Sequence, residues 1–247
     1  MDNCRLLIAY DGSNYKGWQK NNRDRTIEET LQKSLESILQ HPVQLQAASR
    51  TDAGVHAHGQ VVNFFTPLAP LSPKDLTTQI NLQLPDDISV LDCQIARQDF
   101  HPTVSAKSKE YHYFVCCGKQ LPHHRFYSWH CYSDLDVAAM REGAKLFVGR
   151  HDFSSFCNVR VDISYNDFTR EVDYLTIEEI ERNRLRFVIG GHSFLYKMVR
   201  NLVGTLVNIG QGKIPLEHLP KIIASKDRKQ AGMTAPAHGL FLKQVTY

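Results

Sequence analysis

Arg170-Glu171-Val172-Asp173-Tyr174-Leu175-Thr176-Ile177 is followed, after a short polar link, by Leu185-Arg186-Phe187-Val188-Ile189-Gly190. Both runs have strand length and are rich in β-branched and aromatic residues. No helical period separates them. Adjacent strands of this kind favour an α+β fold with mainly antiparallel sheets over a doubly wound parallel sheet, which alternates strand and helix strictly.

Working outward, the same half of the chain reads as a strand over Lys109 to Cys117, a helix over Val137 to Phe147, helices over Phe194 to Ile209 and Leu216 to Ala224, and a last strand over Leu240 to Thr246. The other half opens with a strand over Arg5 to Ala9 that ends in the turn Asp11-Gly12-Ser13-Asn14. A helix follows from Ile27, capped by Thr26 with Glu29 three residues on, and Leu31, Leu35, Ile38 and Leu39 fall on one face of it. Gln60 to Phe65 is a strand. A second helix starts after Ser72-Pro73, carries Leu76, Ile80 and Leu84 at intervals of four, and stops at Pro85-Asp86-Asp87 before a strand over Ile88 to Ala96. Periodicity is lost between Phe100 and Ser108, so the expected boundary lies near residue 105, dividing the chain into halves 1–105 and 106–247.

With 42% hydrophobic and 22% charged residues, 247 residues bury a sizeable core. The start lacks a basic segment followed by an apolar one, and no apolar run approaches the roughly 20 residues that span a bilayer; the expected location is the cytoplasm. Six cysteines show no C-x-x-C spacing and read as small buried hydrophobes, Cys116 and Cys117 as strand residues. Residues 1–105 carry 9 Lys and Arg against 12 Asp and Glu, a charge of −3, whereas residues 106–247 carry 20 against 14, a charge of +6. A polyanion would lean on the second half.

Reactive side chains are densest in Arg50-Thr51-Asp52-Ala53-Gly54-Val55-His56-Ala57-His58, just before a strand. Asp52 can serve there as nucleophile or general base if it stays ionised when water is excluded. Burial opposes ionisation and a neighbouring arginine favours it. Arg50 is two residues away, and Arg200 lies outside the apolar arc of its helix, with Gly204 one turn on leaving room for close backbone approach or an inserted substrate. His56 and His58 have no obvious third ligand, so no metal is expected. No Gly-rich run matches a phosphate-binding loop or a dinucleotide fingerprint, so neither ATP nor NAD is implied. Lys109, Tyr111 and Tyr113 share one strand face, where aromatic rings either stack bases or fill a core.

Six stretches in this order, Tyr10 to Gln19, Arg50 to Ala57, Lys109 to Tyr113, Gly149 to Phe156, Phe194 to Asn201 and Ala235 to Leu242, together resemble the tRNA pseudouridine synthase A family. The resemblance covers nearly the whole chain. It implies an isomerase, without cofactor, that converts uridine to pseudouridine at positions 38, 39 and 40 in the anticodon stem and loop of tRNA. The implied fold is two similar halves with the active cleft between them, and the implied assembly is a homodimer. By the same resemblance Asp52 is the catalytic aspartate, Arg200 its paired arginine, Tyr111 the ring that stacks on the target uracil, Arg50 the arginine that enters the space left by the flipped nucleotide, and Leu240 a residue packed against the base. Two departures stand out: Pro102-Thr103 follows Phe100-His101 where an Ala-Arg pair is usual, and Ser49 replaces a common glycine.

Overall fold

The computed structural model describes residues 1–68, 71–159 and 165–247. Its strands and helices form an α+β fold, and two compact units divide the chain: residues 1–107 with 241–247, and residues 108–240.

In the first unit, β1 (Asp2–Tyr10) leads through a 3₁₀ turn at Gly12–Asn14 to α1 (Ile27–Leu39), then the short β2 (Gln46–Ala47), β3 (His56–Thr66), α2 (Pro73–Gln83) and β4 (Ile88–Ala96). Both helices begin where their capping residues predict. Thr26 Oγ1 accepts from the Glu29 amide at 3.4 Å, and Ser72 makes a reciprocal capping box with Asp75 behind Pro73. The apolar stripe of α1 buries Leu31 and Leu35, while Ile38 and Leu39 stay half-buried near its end.

β1 lies between β4 and β3, antiparallel to both. Its alternation of Cys4, Leu6, Ile8 and Tyr10 towards the core follows from the two-residue period of a strand. β4 breaks that period. Leu6 pairs with Cys93 and Leu7 with Asp92, but Ile8 pairs with Val90, so a bulge leaves Leu91 unpaired and 52% exposed. A second irregularity, between Ile8↔Gln60 and Tyr10↔Ala57, bends the start of β3. There β3 is joined in parallel by β11 (Leu240–Thr246) through Phe241↔His56 and Leu242↔Ala57. A Cβ at Gly59 would stand 2.6 Å from the Lys243 carbonyl oxygen, so the close approach of β11 requires glycine. The terminal strand, which follows the boundary expected near residue 105, therefore packs with the first unit by virtue of its pairing to β3.

The second unit contains β5 (Ser108–Cys117), β6 (Trp129–Cys131), α3 (Val137–Lys145), β7 (Gly149–Asp152), β8 (Thr169–Val172), β9 (Tyr174–Glu181), β10 (Arg184–Gly191), α4 (Met198–Gly210) and α5 (Leu219–Ser225). β10 pairs antiparallel with both β5 and β9, as the two adjacent strand runs predict. The first of those runs is two strands, because β8 leaves to pair with β7 and Asp173 separates it from β9. β6 adds to β5 in parallel. α4 starts at Met198, four residues after its expected start, because Lys197 adopts a left-handed backbone (φ 60°) that no helix interior tolerates. α3 crosses α4 where a Cβ on Gly143 would sit 2.9 Å from Leu206 and one on Gly210 2.3 Å from Met140 Sδ.

The thiols are free, and burial raises Cys4 to about 11 and Cys93 to about 12, which keeps both protonated and unreactive. No helix among the described residues is long and apolar enough to cross a membrane.

One buried polar cluster of the first unit joins segments far apart in the sequence. Asn3, fully buried on β1, donates to the carbonyls of Arg97 and Phe100 at 2.9 Å each and accepts from Asn63 Nδ2 on β3 at 2.7 Å. Asn3→Ala is expected to lower unfolding free energy by about 1–3 kcal/mol, because it strands these desolvated partners. Urea denaturation reads the loss; an unchanged midpoint would show that water replaces the amide.

A clamped carboxylate loop and a buried arginine helix

Between β2 and β3 the chain carries Arg50 and Asp52 through a loop without regular hydrogen-bonded structure. What shapes it is the segment after β1. The Trp18 amide donates to the Thr51 carbonyl at 3.0 Å, and the Gly54 amide to the Tyr15 carbonyl at 3.3 Å. Tyr10 Oη and Thr51 Oγ1 are 2.8 Å apart in a buried hydrogen bond. Asp52 is thus flanked on both sides by residues tied to one segment. Its own carbonyl accepts from the Val55 amide at 3.1 Å, which closes a tight turn with Gly54 at φ 76°.

Two glycines make this contact possible. A Cβ at Gly12 would stand 2.0 Å from the Val55 carbonyl oxygen, and one at Gly17 2.6 Å from that of Thr51. On the far side of the turn, His56 is 1% exposed. Its Nδ1 accepts from the Gly12 amide at 3.1 Å and lies 3.0 Å from Asp11 Oδ1, while its ring stacks on Phe241 at 4.5 Å. His58 leans on the same Phe241 at 4.9 Å. Both histidines therefore belong to the packing that holds the loop. Ser49, on the other flank, exchanges two hydrogen bonds with the buried Gln60 side chain, 3.2 Å to its backbone amide and 2.6 Å from its carbonyl. In this clamp Asp52 is half-buried and Arg50 exposed.

The second unit places Tyr111, Arg200 and Leu240 on three different elements. β5 buries Lys109, Tyr111 and Tyr113 on one face, 8%, 6% and 0% exposed, so the shared face expected from alternation is present and closed in the free chain. Tyr113 belongs to the core: its hydroxyl donates to the Pro236 carbonyl at 2.8 Å, and its ring fills the space that a side chain at Gly239 would need. That contact seats the turn at Ala237–Gly239 immediately before Leu240, which is 6% exposed. Tyr111 meets Phe194 edge to face, ring centroids 5.3 Å apart, which fixes the plane of its ring. Desolvation depresses the Lys109 ammonium pKa below the usual lysine range.

Arg200 is the one residue of α4 that is not buried. It sits in the first turn, where the helix dipole is positive and disfavours a cation by about 0.3–1 kcal/mol. An anion beside it gains from both charges. Its Nε donates to the Ala235 carbonyl at 2.7 Å, and the Ala235 amide returns a bond to the Arg200 carbonyl at 3.1 Å. Gly204 gives close approach to backbone: the Met233 carbonyl oxygen would be 1.8 Å from a Cβ there. The spacing of Gly204 from Arg200 is thus explained by the segment before Ala235.

The α+β protein thus has a loop braced around one aspartate and a buried helix that offers one arginine at its positive end. The model of one protein family, described as tRNA pseudouridine synthase, matches residues 6–103 and 144–247. A protein of Protochlamydia amoebophila named tRNA pseudouridine synthase A 2 is 48% identical, over all of this chain and 95% of its own. The tRNA pseudouridine synthase A of Acetivibrio thermocellus is 41% identical over the whole of both, and that of Geobacillus kaustophilus 42% identical over 98% of this chain and 93% of its own. Among solved structures, the archaeal box H/ACA Nop10–Cbf5 complex matches at 15% identity and TM-score 0.36, covering 83% of this chain and 43% of that one. The chain belongs to the tRNA pseudouridine synthase family.

The residues that sequence reasoning missed are the bracing ones. Tyr10, Gly12, Gly17 and Trp18 stand in a motif that carries the family resemblance, but nothing local says that the motif grips a loop about forty residues on. Gly17→Ala combines a backbone at φ 93° with a 2.6 Å clash, whereas Gly212→Ala meets φ 68° with nothing within 4 Å. The first is expected to destabilise the protein by at least about 1 kcal/mol more than the second. It should also speed amide exchange at Trp18 and Val55. Equal thermal midpoints for the two variants would refute the clamp.

Proposed function

We propose that this family member isomerises uridine to pseudouridine at positions 38, 39 and 40 of the tRNA anticodon stem and loop, with Asp52 as nucleophile. The observation that carries the reading is the bracing of Asp52 from both sides by residues 10–18, in a chain 48% identical over its whole length to a named tRNA pseudouridine synthase A. A carboxylate whose backbone is held in a turn has lost part of its conformational freedom before substrate arrives, which lowers the entropic part of the barrier.

The reaction breaks the N1–C1′ glycosidic bond, turns the uracil, and forms a C5–C1′ bond, with loss of the C5 proton to water and gain of a proton at N1. Reactant and product have the same composition, so neither a redox partner nor an energy source is needed, and no cofactor or metal is part of the proposal. The Asp52 carboxylate either adds covalently to the nucleotide or assists departure of the base. Arg200 supplies the positive charge that keeps it ionised as water leaves. Arg50, exposed beside the loop, takes the space of the extruded nucleotide and so offsets an unstacking cost of a few kcal/mol. Tyr111, its ring plane set by Phe194, stacks on the uracil, and Leu240 packs against it. A homodimer acting on the anticodon arm in the cytoplasm completes the proposal. The boundary near residue 105 separates a half that carries the carboxylate from a basic half that attracts phosphate.

Release of tritium from C5 of uracil in tRNA, without added metal or nucleotide, tests the reaction. Asp52→Asn is expected to abolish release while tRNA affinity stays within about threefold, since a transition-state group contributes little to ground-state binding. Tight binding by the unmodified protein without release would instead point to an RNA-binding protein that does no chemistry. Neutralising lysines and arginines after residue 105 is expected to flatten the salt dependence of tRNA binding more than equal changes before it, because each lost phosphate contact removes close to one released counterion. Equal slopes would refute the charge asymmetry.

A further inference from the structure

Arg228 belongs to none of the roles above, yet it ties several segments of the second unit together. Its Nη1 donates to the carbonyls of Gly232 at 2.8 Å and Ala231 at 3.4 Å. Its Nη2 donates to Asn201 Oδ1 and Thr234 Oγ1, both at 2.9 Å, and its Nε reaches Asn158 Oδ1 at 3.4 Å. These partners are neutral oxygens. A half-buried guanidinium turned onto carbonyl, hydroxyl and amide oxygens receives no ion-pair energy from them, and partial burial lowers its pKa. What the arrangement does provide is geometry, since a planar fork fixes several acceptors at once.

The acceptors belong to three segments: α4, the run 231–235, and the chain after the turn at Ser154–Phe156. Asn201 is the hub. Fully buried, it donates to the Phe156 carbonyl at 2.7 Å and to Asn158 Oδ1 at 2.8 Å, and its own Oδ1 accepts from Arg228 and from Thr234 Oγ1 at 2.7 Å. The run 231–235 is laid along α4 by further bonds: the Gly232 amide to Thr205 Oγ1 at 3.0 Å and the Met233 amide to Asn208 Oδ1 at 3.2 Å. It ends at Ala235, whose carbonyl holds Arg200 Nε. Gly232 and Gly204 let the two backbones touch; a Cβ on Gly232 would be 2.6 Å from the Thr205 Cα.

We propose that Arg228 is a positioning residue for Arg200: by tying the run 231–235 to Asn201, it sets the Ala235 carbonyl that fixes the plane of the Arg200 guanidinium. This rests on the proposed role of Arg200 in catalysis. One N–H of Arg200 is committed to a backbone oxygen, so the direction of the remaining donors follows the position of that oxygen. A loosened run lets the guanidinium rotate without removing it.

The test measures tritium release with Arg228→Lys, Arg228→Ala, Arg200→Ala and the double variant Arg200→Ala/Arg228→Lys. Lysine keeps the charge and loses the fork, and each protein is first matched to the parent by its thermal midpoint. Arg228→Lys is expected to lower kcat about tenfold or more with KM for tRNA within about twofold, and to have less than about a twofold effect once Arg200 is gone. Equal losses from Arg228→Lys in both backgrounds, or a loss confined to KM, would overturn the positioning role and leave the Arg200 assignment standing. Turnover by Arg200→Ala at the parent rate would overturn the Arg200 assignment itself, and with it this inference. If Arg228→Ala fails to fold, the lysine series alone decides.

Discussion

The hydrogen bond from the Trp18 amide to the Thr51 carbonyl, backed by Tyr10 Oη on Thr51 Oγ1, is the constraint on which the rest of the first unit turns. Together the two bonds join the end of the first strand and the segment after it to the loop that bears Asp52, and Tyr10, Trp18 and Thr51 are buried enough that water does not substitute for either partner. A carboxylate on an untethered loop would sample many positions, each costing conformational entropy to recover. Here the chain bears that cost when it folds. The bent start of β3, where the register shifts opposite Tyr10 and β11 joins in parallel, follows from the same requirement, because the loop must enter the sheet beside Gly12 and His56.

Bracing in the second unit uses a different device. α4 is buried all round apart from Arg200, which would leave its small residues without purpose if packing were only helix against sheet. The run 231–235 is what they receive. Thr205, Asn208 and Asn201 offer oxygens to it, and Gly204 offers absence of a side chain. A polypeptide backbone laid on a buried helix must have its amides and carbonyls satisfied, and side chains of the helix do most of that work, joined by the Arg200 carbonyl, which accepts from the Ala235 amide. Arg200 is held as one member of this set.

Aromatic residues show how little a strand pattern says about role. Tyr111 and Tyr113 share a face and differ by two positions. Tyr113 is locked under the turn at Ala237–Gly239 by its hydroxyl and by Gly239, while Tyr111 is oriented by Phe194. Alternation reports the face; only the neighbours distinguish a core ring from one set at a defined angle. The histidines make the same point, since His56 and His58 are both occupied with Phe241, a residue nearly two hundred positions away.

Much was legible in the sequence because it depends on neighbours along the chain. Capping by Thr26 and Ser72, the apolar periods of α1 and α2, the paired strand runs that became β9 and β10, and the ordered motifs of the family are all local patterns. So was the candidate loop, since Arg50 and Asp52 stand beside a glycine that the turn needs at positive φ. The start of α4 was not, because nothing in Phe194 to Met198 announces the left-handed Lys197. Tertiary structure alone decided which residues grip Asp52, that β11 returns to β3, that Gly204 faces Met233, and that Arg228 holds Asn201. The physical reason is common to all four: each is a contact between segments far apart in sequence, where desolvated polar groups must find one another, and no local propensity encodes the partner.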